Sequence, residues 1–199
     1  MVRWLVVVVC LAGCDKLFGL LPIKTVDASS DAVADAVDDT TRDGNDACPQ
    51  SYNLTFTGAT TQYRYVDASS GWLAAELTCF MDTSTRTHLV VLTDDNERAA
   101  LAGALVMSSV TSSVWLGLSD RQKEDAFLWV TDEPVGMPPR TSPPWIIGQP
   151  DNQGVAQHCV RMAGTNAGQD ATLFDDSDCT LPLDFVCECD AFAPDPTNF

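Results

Sequence analysis

The sequence predicts an α+β domain over residues 48–199, with two helices, short strands, one long irregular loop and three disulfides. Three observations point there. Residues 71–81 and 94–107 carry apolar side chains near helical spacing, while short runs rich in Val, Leu, Trp and Phe lie between and after them. Six cysteines fall within this stretch, at positions 48, 79, 159, 179, 187 and 189. Six prolines and several glycines crowd residues 131–157 and break any regular pattern.

The chain opens on a different kind of segment. Met1 and Arg3 give a short basic start, residues 4–11 form an apolar run, and Leu11-Ala12-Gly13-Cys14 follows. That order is the shape of an export signal. The tetrapeptide resembles the bacterial lipobox, which implies a signal peptide at 1–13, cleavage before Cys14 and lipid on that cysteine. Eight apolar residues fall far short of the ~20 that span a bilayer. A plain secretory signal is the alternative. The expected location is the cell envelope, with the choice between inner and outer membrane open, and the only membrane contact is through lipid at Cys14.

Residues 14–47 change composition. Asp27, Asp31, Asp35 and Asp39 recur among Ala, Ser, Val and Thr, with Asp38, Asp43 and Asp46 added. On a helix this four-residue period would stack like charges at i,i+4, which is destabilising. Beyond Phe18 no aromatic residue offers a core, so the stretch reads as a solvated, self-repelling tether. A calcium-binding repeat would need a Gly-centred loop that is absent from the spacing.

Charge narrows the function classes. The chain has 28 Asp and Glu against 11 Lys and Arg, a formal net charge of −17. Residues 48–199 hold 20 of the acids and seven of the bases, so most of the excess belongs to the domain. This balance repels phosphate backbones and anionic lipid surfaces, which excludes nucleic acid as a partner class. Carboxylates without Lys partners are what a hard cation such as Ca²⁺ requires.

Six cysteines in an exported chain argue for three disulfides, although 15 pairings are open. A zinc site competes, but Cys187-Glu188-Cys189 lacks the usual two-residue gap and only His88 and His158 could supply nitrogen. In order, residues 63–66 read as a strand. Residues 71–81 read as a helix through Trp72, Ala75, Leu77 and Cys79, and 88–92 as a buried strand. Asp94 is placed to cap a helix with Glu97 three residues on and an apolar face of Ala99, Leu101, Leu105 and Val106. Further strands are expected at 114–118, 127–130, 158–162, around Leu173, and at 185–189. The loop between them exceeds the ~15 residues beyond which loops are usually functional or disordered.

These residues carry a family resemblance. Cys48-Pro49 with Tyr52, Trp72 and Ala75 before Cys79, His88-Leu89-Val90, Trp115-Leu116-Gly117-Leu118, Cys159, Cys179 and Phe185-Val186-Cys187-Glu188 resemble the C-type lectin-like domain in order and spacing. The resemblance implies a double-loop fold whose ends meet in one sheet, with helices flanking short antiparallel sheets and disulfides Cys79–Cys187 and Cys159–Cys179. The remaining pair would be Cys48–Cys189. This departs from the long form of the family, whose N-terminal cysteine pairs within its own hairpin, but neighbouring terminal strands would make it geometrically reasonable.

The resemblance also places the chemistry in the long loop. Gln149-Pro150-Asp151 resembles the carbohydrate-recognition tripeptide, in which two side chains present oxygens on either side of a cis proline. Trp145 precedes it, Asn152 follows it, and Phe174-Asp175-Asp176 stands where the family places Trp-Asn-Asp. Ca²⁺ takes six to eight oxygens, and two adjacent sugar hydroxyls can complete such a shell. Gln149, Asp151, Asp175 and Asp176, with the Asp176 carbonyl, would form one anionic cage around the cation, and Gln157 is expected as a further metal ligand.

Two positions depart from the family pattern: Gln157 replaces Glu and Asp175 replaces Asn. The exchange keeps three carboxylates but rearranges the hydrogen bonds offered to a sugar. The tripeptide implies galactose or N-acetylgalactosamine, although Gln153 and Gly154 supply no aromatic to pack on the apolar sugar face.

Trp72, Trp115 and Trp129 sit in periodic apolar runs and read as core. His88 precedes a buried strand and reads as packed or bonded to backbone, while His158 lies next to a half-cystine close to the loop. No serine nucleophile with a base, phosphate-cradling loop or hydrolytic carboxylate pair stands out, so the expectation is a non-enzymatic module. It would bind a glycan or glycoconjugate with Ca²⁺. The alternative is a calcium-independent lectin-like scaffold for a protein or other surface.

Overall fold

A computed structural model of the protein describes residues 47–56, 61–132, 144–154 and 157–199. The proposed signal, Cys14, nearly all of the tether, and residues 133–143 of the long loop lie outside these residues. Among the described residues, no helix is long and apolar enough to cross a membrane.

The elements run β1 (Gln62–Ser70), α1 (Trp72–Phe80), β2 (Thr87–Leu89), α2 (Asp95–Met107), β3 (Val114–Ser119), β4 (Leu128–Trp129), β5 (Cys159–Met162), β6 (Phe174–Ser177) and β7 (Leu183–Cys189). They form one seven-stranded sheet ordered β1-β7-β3-β5-β6, with β2 also paired to β7 and β4 to β3. The terminal strands β1 and β7 pair antiparallel, Gln62 opposite Cys189 and Val66 opposite Phe185. The expectation of antiparallel sheets needs one correction, because β3 and β7 run parallel through Val114–Asp184 and Trp115–Phe185. The sheet is therefore mixed. Its parallel pair sits at the centre, where both strands are largely buried.

All six residues of β3 are buried, as befits a strand enclosed on both faces. Gly117 is required there. A Cβ on it would lie 2.6 Å from the Leu89 carbonyl oxygen and 2.7 Å from Cγ2 of Val130. Its own N–H donates to the Val90 carbonyl at 2.9 Å, and its carbonyl accepts the Val130 N–H at 2.8 Å. Trp72 and Trp115 are fully buried, and their indole N–H groups donate to the carbonyls of Leu116 and Ser70. Trp129 is buried as well.

The helices form where periodicity places them, but their inner faces differ from the expected ones. On α1 the buried set is Trp72, Ala75, Glu76 and Cys79, while Leu77 is 43% exposed. Glu76 replaces it because its Oε2 accepts the Leu89 N–H at 2.8 Å, satisfying a donor at the end of β2. On α2 the buried face is Leu101, Ala102 and Leu105, with Ala99 and Val106 outward. Asp94 caps α2 by accepting the N–H groups of Asn96 and Glu97, and Glu97 reaches back to the Thr93 N–H.

Three disulfides close the domain: Cys48–Cys189, Cys79–Cys187 and Cys159–Cys179. The first joins the start of the domain to the end of β7, the second staples α1 to β7, and the third ties β5 to the segment after β6. Only this last one lies beside the long loop.

Candidate functional site

The far end of the sheet carries the loop. Trp145 is buried between Phe127 and Phe174, with ring centroids 5.1 and 5.9 Å away. Backbone bonds run from the Phe174 N–H to the Pro144 carbonyl and from the Ile146 N–H to the Phe174 carbonyl. The descending limb of the loop is thereby laid along β6, which brings 149–152 beside Asp175 and Asp176. Gly148 turns the chain at a φ of 95°, which a side chain would strain, and the Gln149 N–H closes the turn on the Ile146 carbonyl at 2.9 Å. The Gln149–Pro150 peptide is cis.

Asp176 fastens the tripeptide to the sheet. Its carboxylate accepts the N–H of Asp151 at 3.1 Å on Oδ1 and 3.2 Å on Oδ2, and that of Asn152 at 2.9 Å on Oδ2. Burial pushes the Asp176 carboxyl up, these N–H groups pull it down, and the Asp151 charge adds to the rise. Gln157 closes the loop from below: its Oε1 accepts the Gln153 N–H at 2.7 Å, and its own N–H donates to Oδ1 of Asn152 at 2.7 Å. Asp151 Oδ1 accepts the Gln153 N–H at 3.1 Å.

Asp175 goes elsewhere. It stands opposite Arg161 across β5 and β6. Arg161 donates to Oδ2 of Asp175 from Nε at 3.0 Å and from Nη2 at 2.5 Å. Neighbouring residues of a strand point to opposite faces, so Asp175 and Asp176 cannot share these partners. The expected cage of carboxylates is thus divided, with Asp151 and Asp176 in the loop network and Asp175 in the ion pair. Gln149 falls on the side of the ion pair. It lines a cleft of about 260 Å³ together with Arg161 and Asp175, and its Oε1 is buried without a hydrogen-bond partner.

Two tighter groups escaped the sequence reading. Asp120, Glu124 and His158 bring one ligand atom each within 4.8 Å of the others, as do His88, Glu188 and Asp190. In the first group His158 Nδ1 lies 3.0 Å from Asp120 Oδ1 and 3.4 Å from Glu124 Oε2. Glu124 Oε1 accepts from Nδ2 of Asn152 at 2.9 Å, which links this cluster to the loop. Two carboxylates and an imidazole make a mixed donor set that could hold a divalent cation. The sequence signal was Glu124 four residues after Asp120, directly beyond a buried strand. The second group is wholly buried. His88 faces two acceptors there, Leu89 carbonyl at 2.8 Å and Asp190 Oδ1 at 3.3 Å.

Comparison with known proteins agrees with this frame. Perlucin from Haliotis laevigata is 28% identical over 102 residues, 51% of this chain and 61% of that protein. Collectin-11 from Bos taurus is 25% identical over 128 residues, 64% of this chain and 43% of its own length. The chain thus spans less than two thirds of either relative. Among solved structures, the C-type lectin CEL-I from Cucumaria echinata superposes with a TM-score of 0.59 at 20% identity, covering 72% of this chain and 98% of that one. The cow C-type carbohydrate-recognition domain of CD23, solved in the presence of GlcNAc2Man3 oligosaccharide, gives 0.55 at 22% identity, covering 72% and 95%. These two likenesses establish the fold. Residues 68–189 match the Lectin C-type domain family, and this chain belongs to it.

Proposed function

We propose that the domain is a calcium-supported carbohydrate-binding module, non-enzymatic, which takes a galactose-type sugar at Gln149-Pro150-Asp151. The observation that carries this reading is Gln149 Oε1, a buried acceptor without a partner in a cleft beside Asp175. Buried polar atoms are rarely left unpaired, so a cation or a ligand hydroxyl is the natural complement. The donor chemistry suits Ca²⁺, because Gln149, Asp151, Gln157, Asp175 and Asp176 offer only hard oxygens, although they stand in two groups that a cation would have to draw together. Burial is the main cause of the raised Asp176 carboxyl, and a cation would relieve the smaller part due to the Asp151 charge. Asp175 takes both Arg161 bonds on Oδ2, which leaves Oδ1 for such a role. Bound there, Ca²⁺ would accept two adjacent sugar hydroxyls into its shell while the same side chains bond to them.

The domain would work outside the cytoplasm at the cell envelope, on a lipid carried by Cys14 and an acidic tether over residues 14–47. This part rests on Leu11-Ala12-Gly13-Cys14 and on the composition that follows it.

One observation favours a second reading, a calcium-independent scaffold for a protein or surface ligand: Arg161 already neutralises Asp175. Thermal melting of the chain in millimolar Ca²⁺ and then in chelator separates the two, since a ligand that binds only the folded state raises the melting temperature. A rise in Ca²⁺ that chelator reverses supports the first reading. An unchanged melting temperature removes it. A glycan array in Ca²⁺ then tests the sugar class.

A further inference from the structure

We propose that the cleft selects an acidic saccharide, a single sugar carrying a carboxylate or sulfate, and that Arg161 is the residue that selects it. The proposal rests on the sugar-binding reading of the same site. The cleft is bounded by Ser113, Ile146, Gln149, Arg161, Gln169 and Asp175, and Arg161 is its one basic residue among these. In a domain with 20 acidic and seven basic residues, a guanidinium inside the binding cleft is out of keeping with its surroundings. A neutral sugar does not require it, because Gln149, Gln169 and Ser113 already supply donors and acceptors for hydroxyls.

An anionic ligand does require it. Asp175, the acid that lines the cleft, is an acceptor when ionised and repels a carboxylate or sulfate, and a fixed cation on the cleft wall offsets that repulsion whether or not Ca²⁺ is bound. A guanidinium has five N–H donors, and two of them are spent on Oδ2 of Asp175. The remaining fork matches the paired oxygens of a carboxylate or sulfate. Arg161 is 30% accessible and Asp175 only 12%, so the pair stays in place while the free edge of the guanidinium is open to a ligand. Its position is set by sheet pairing, Arg161 directly opposite Asp175, and not by the loop. At about 260 Å³ the cleft lies just below the ~300–1,000 Å³ of drug-sized sites, a size suited to one ring.

The test is calorimetric titration of the full chain, in millimolar Ca²⁺, with galactose, galacturonate and galactose 6-sulfate. Wild type is expected to bind an acidic sugar about tenfold tighter than galactose, the worth of one charge-assisted pair. That ratio should shrink as salt is raised. Galacturonate and galactose 6-sulfate separate the two anionic groups. In Arg161→Gln the ratio of acidic to neutral affinity should fall to about one, and in Arg161→Lys, which keeps charge but loses the fork, to an intermediate value. Equal affinities in wild type, a ratio insensitive to salt, or an unchanged ratio in Arg161→Gln would each overturn the proposal. Binding of galactose without acidic preference overturns it alone, whereas absence of binding to all three sugars overturns the sugar reading with it.

Discussion

The carboxylate of Asp176 accepts the backbone N–H of Asp151 at 3.1 Å on Oδ1 and 3.2 Å on Oδ2, so a single side chain on β6 holds the Gln149-Pro150-Asp151 segment to the sheet. A second donor, the Asn152 N–H, shares it. Truncation leaves these amides without their charged acceptor, which costs about 1–3 kcal/mol per group left unmade. With two such amides, Asp176→Ala is therefore expected to lower the melting temperature by about 4–24 °C, at ~2–4 °C per kcal/mol for a domain of this size. It should also abolish any stabilisation by Ca²⁺. Melting wild type and variant with metal and with chelator checks both effects. A full Ca²⁺ response in Asp176→Ala would remove this residue from the site.

The disulfides should separate stability from binding. Cys48–Cys189 closes a loop of 141 residues and Cys159–Cys179 one of 20. Chain-entropy reasoning assigns about 5 kcal/mol to the first and about 3 to the second. The first lies at the opposite end of the sheet from the loop, while the second begins two residues after Gln157. The double variant Cys48→Ser/Cys189→Ser is predicted to lose more stability yet keep its Ca²⁺ response below its own melting temperature. Cys159→Ser/Cys179→Ser should lose less stability and most of the response. Denaturant unfolding paired with metal titration distinguishes them, and the reverse ranking of the metal effects would refute the assignment.

Most elements were legible because their signals are local. Asp94 and Glu97 mark the start of α2, Val114 to Leu118 reads as a buried strand, and tryptophans at 72, 115 and 129 are core. What was hidden depends on pairing between distant segments. The spacing puts Leu77 in the apolar set of α1 and gives Glu76 no signal of burial, because its partner is the Leu89 N–H thirteen residues on. The parallel register of β3 with β7 has no trace in either strand alone. At the site, the tripeptide and the Asp175-Asp176 pair were visible as motifs. The Arg161–Asp175 ion pair was not, because it arises from cross-strand register. Asp120 and Glu124 were likewise invisible as partners of His158, which lies more than thirty residues away.

Gly117 tests how closely β3 packs. Its substitution by Ala places a Cβ 2.6 Å from a backbone oxygen that cannot swing aside. Overpacking of this kind costs typically about 1–3 kcal/mol, here at the upper end because backbone must move. Gly117→Ala is expected to unfold at clearly lower denaturant concentration than wild type, and a midpoint within error of wild type would show that the sheet can spread.

Buried acids and an imidazole predict the pH dependence of the whole domain. Burial pushes Glu76 up to about 7 from its usual 4.5, against the Leu89 N–H. Burial likewise pushes Glu188 up to about 8, partly countered by the His88 charge. For His88 burial acts downward, but the hydrogen bond to Asp190 and the acidic charges around it outweigh that and raise it to about 9. The geometry supports the direction, because both ring nitrogens face acceptors and can be satisfied together only as donors in the imidazolium. All three groups hold protons in the folded state that the unfolded chain releases. Their contribution is thus fully present below about pH 4.5 for the two acids and below about 6.5 for His88, and it is lost as pH rises through about 7, 8 and 9. Stability should therefore decline between about pH 5 and 9 by an amount on the order of a few kcal/mol. Glu188→Gln and His88→Gln, though each less stable, should show a flatter decline, while His88→Gln leaves the Ca²⁺ response in place. Chemical unfolding at a series of pH values measures the slope directly. A stability that rises across this range, or a slope unchanged in both variants, would mean that these groups do not hold their protons in the fold.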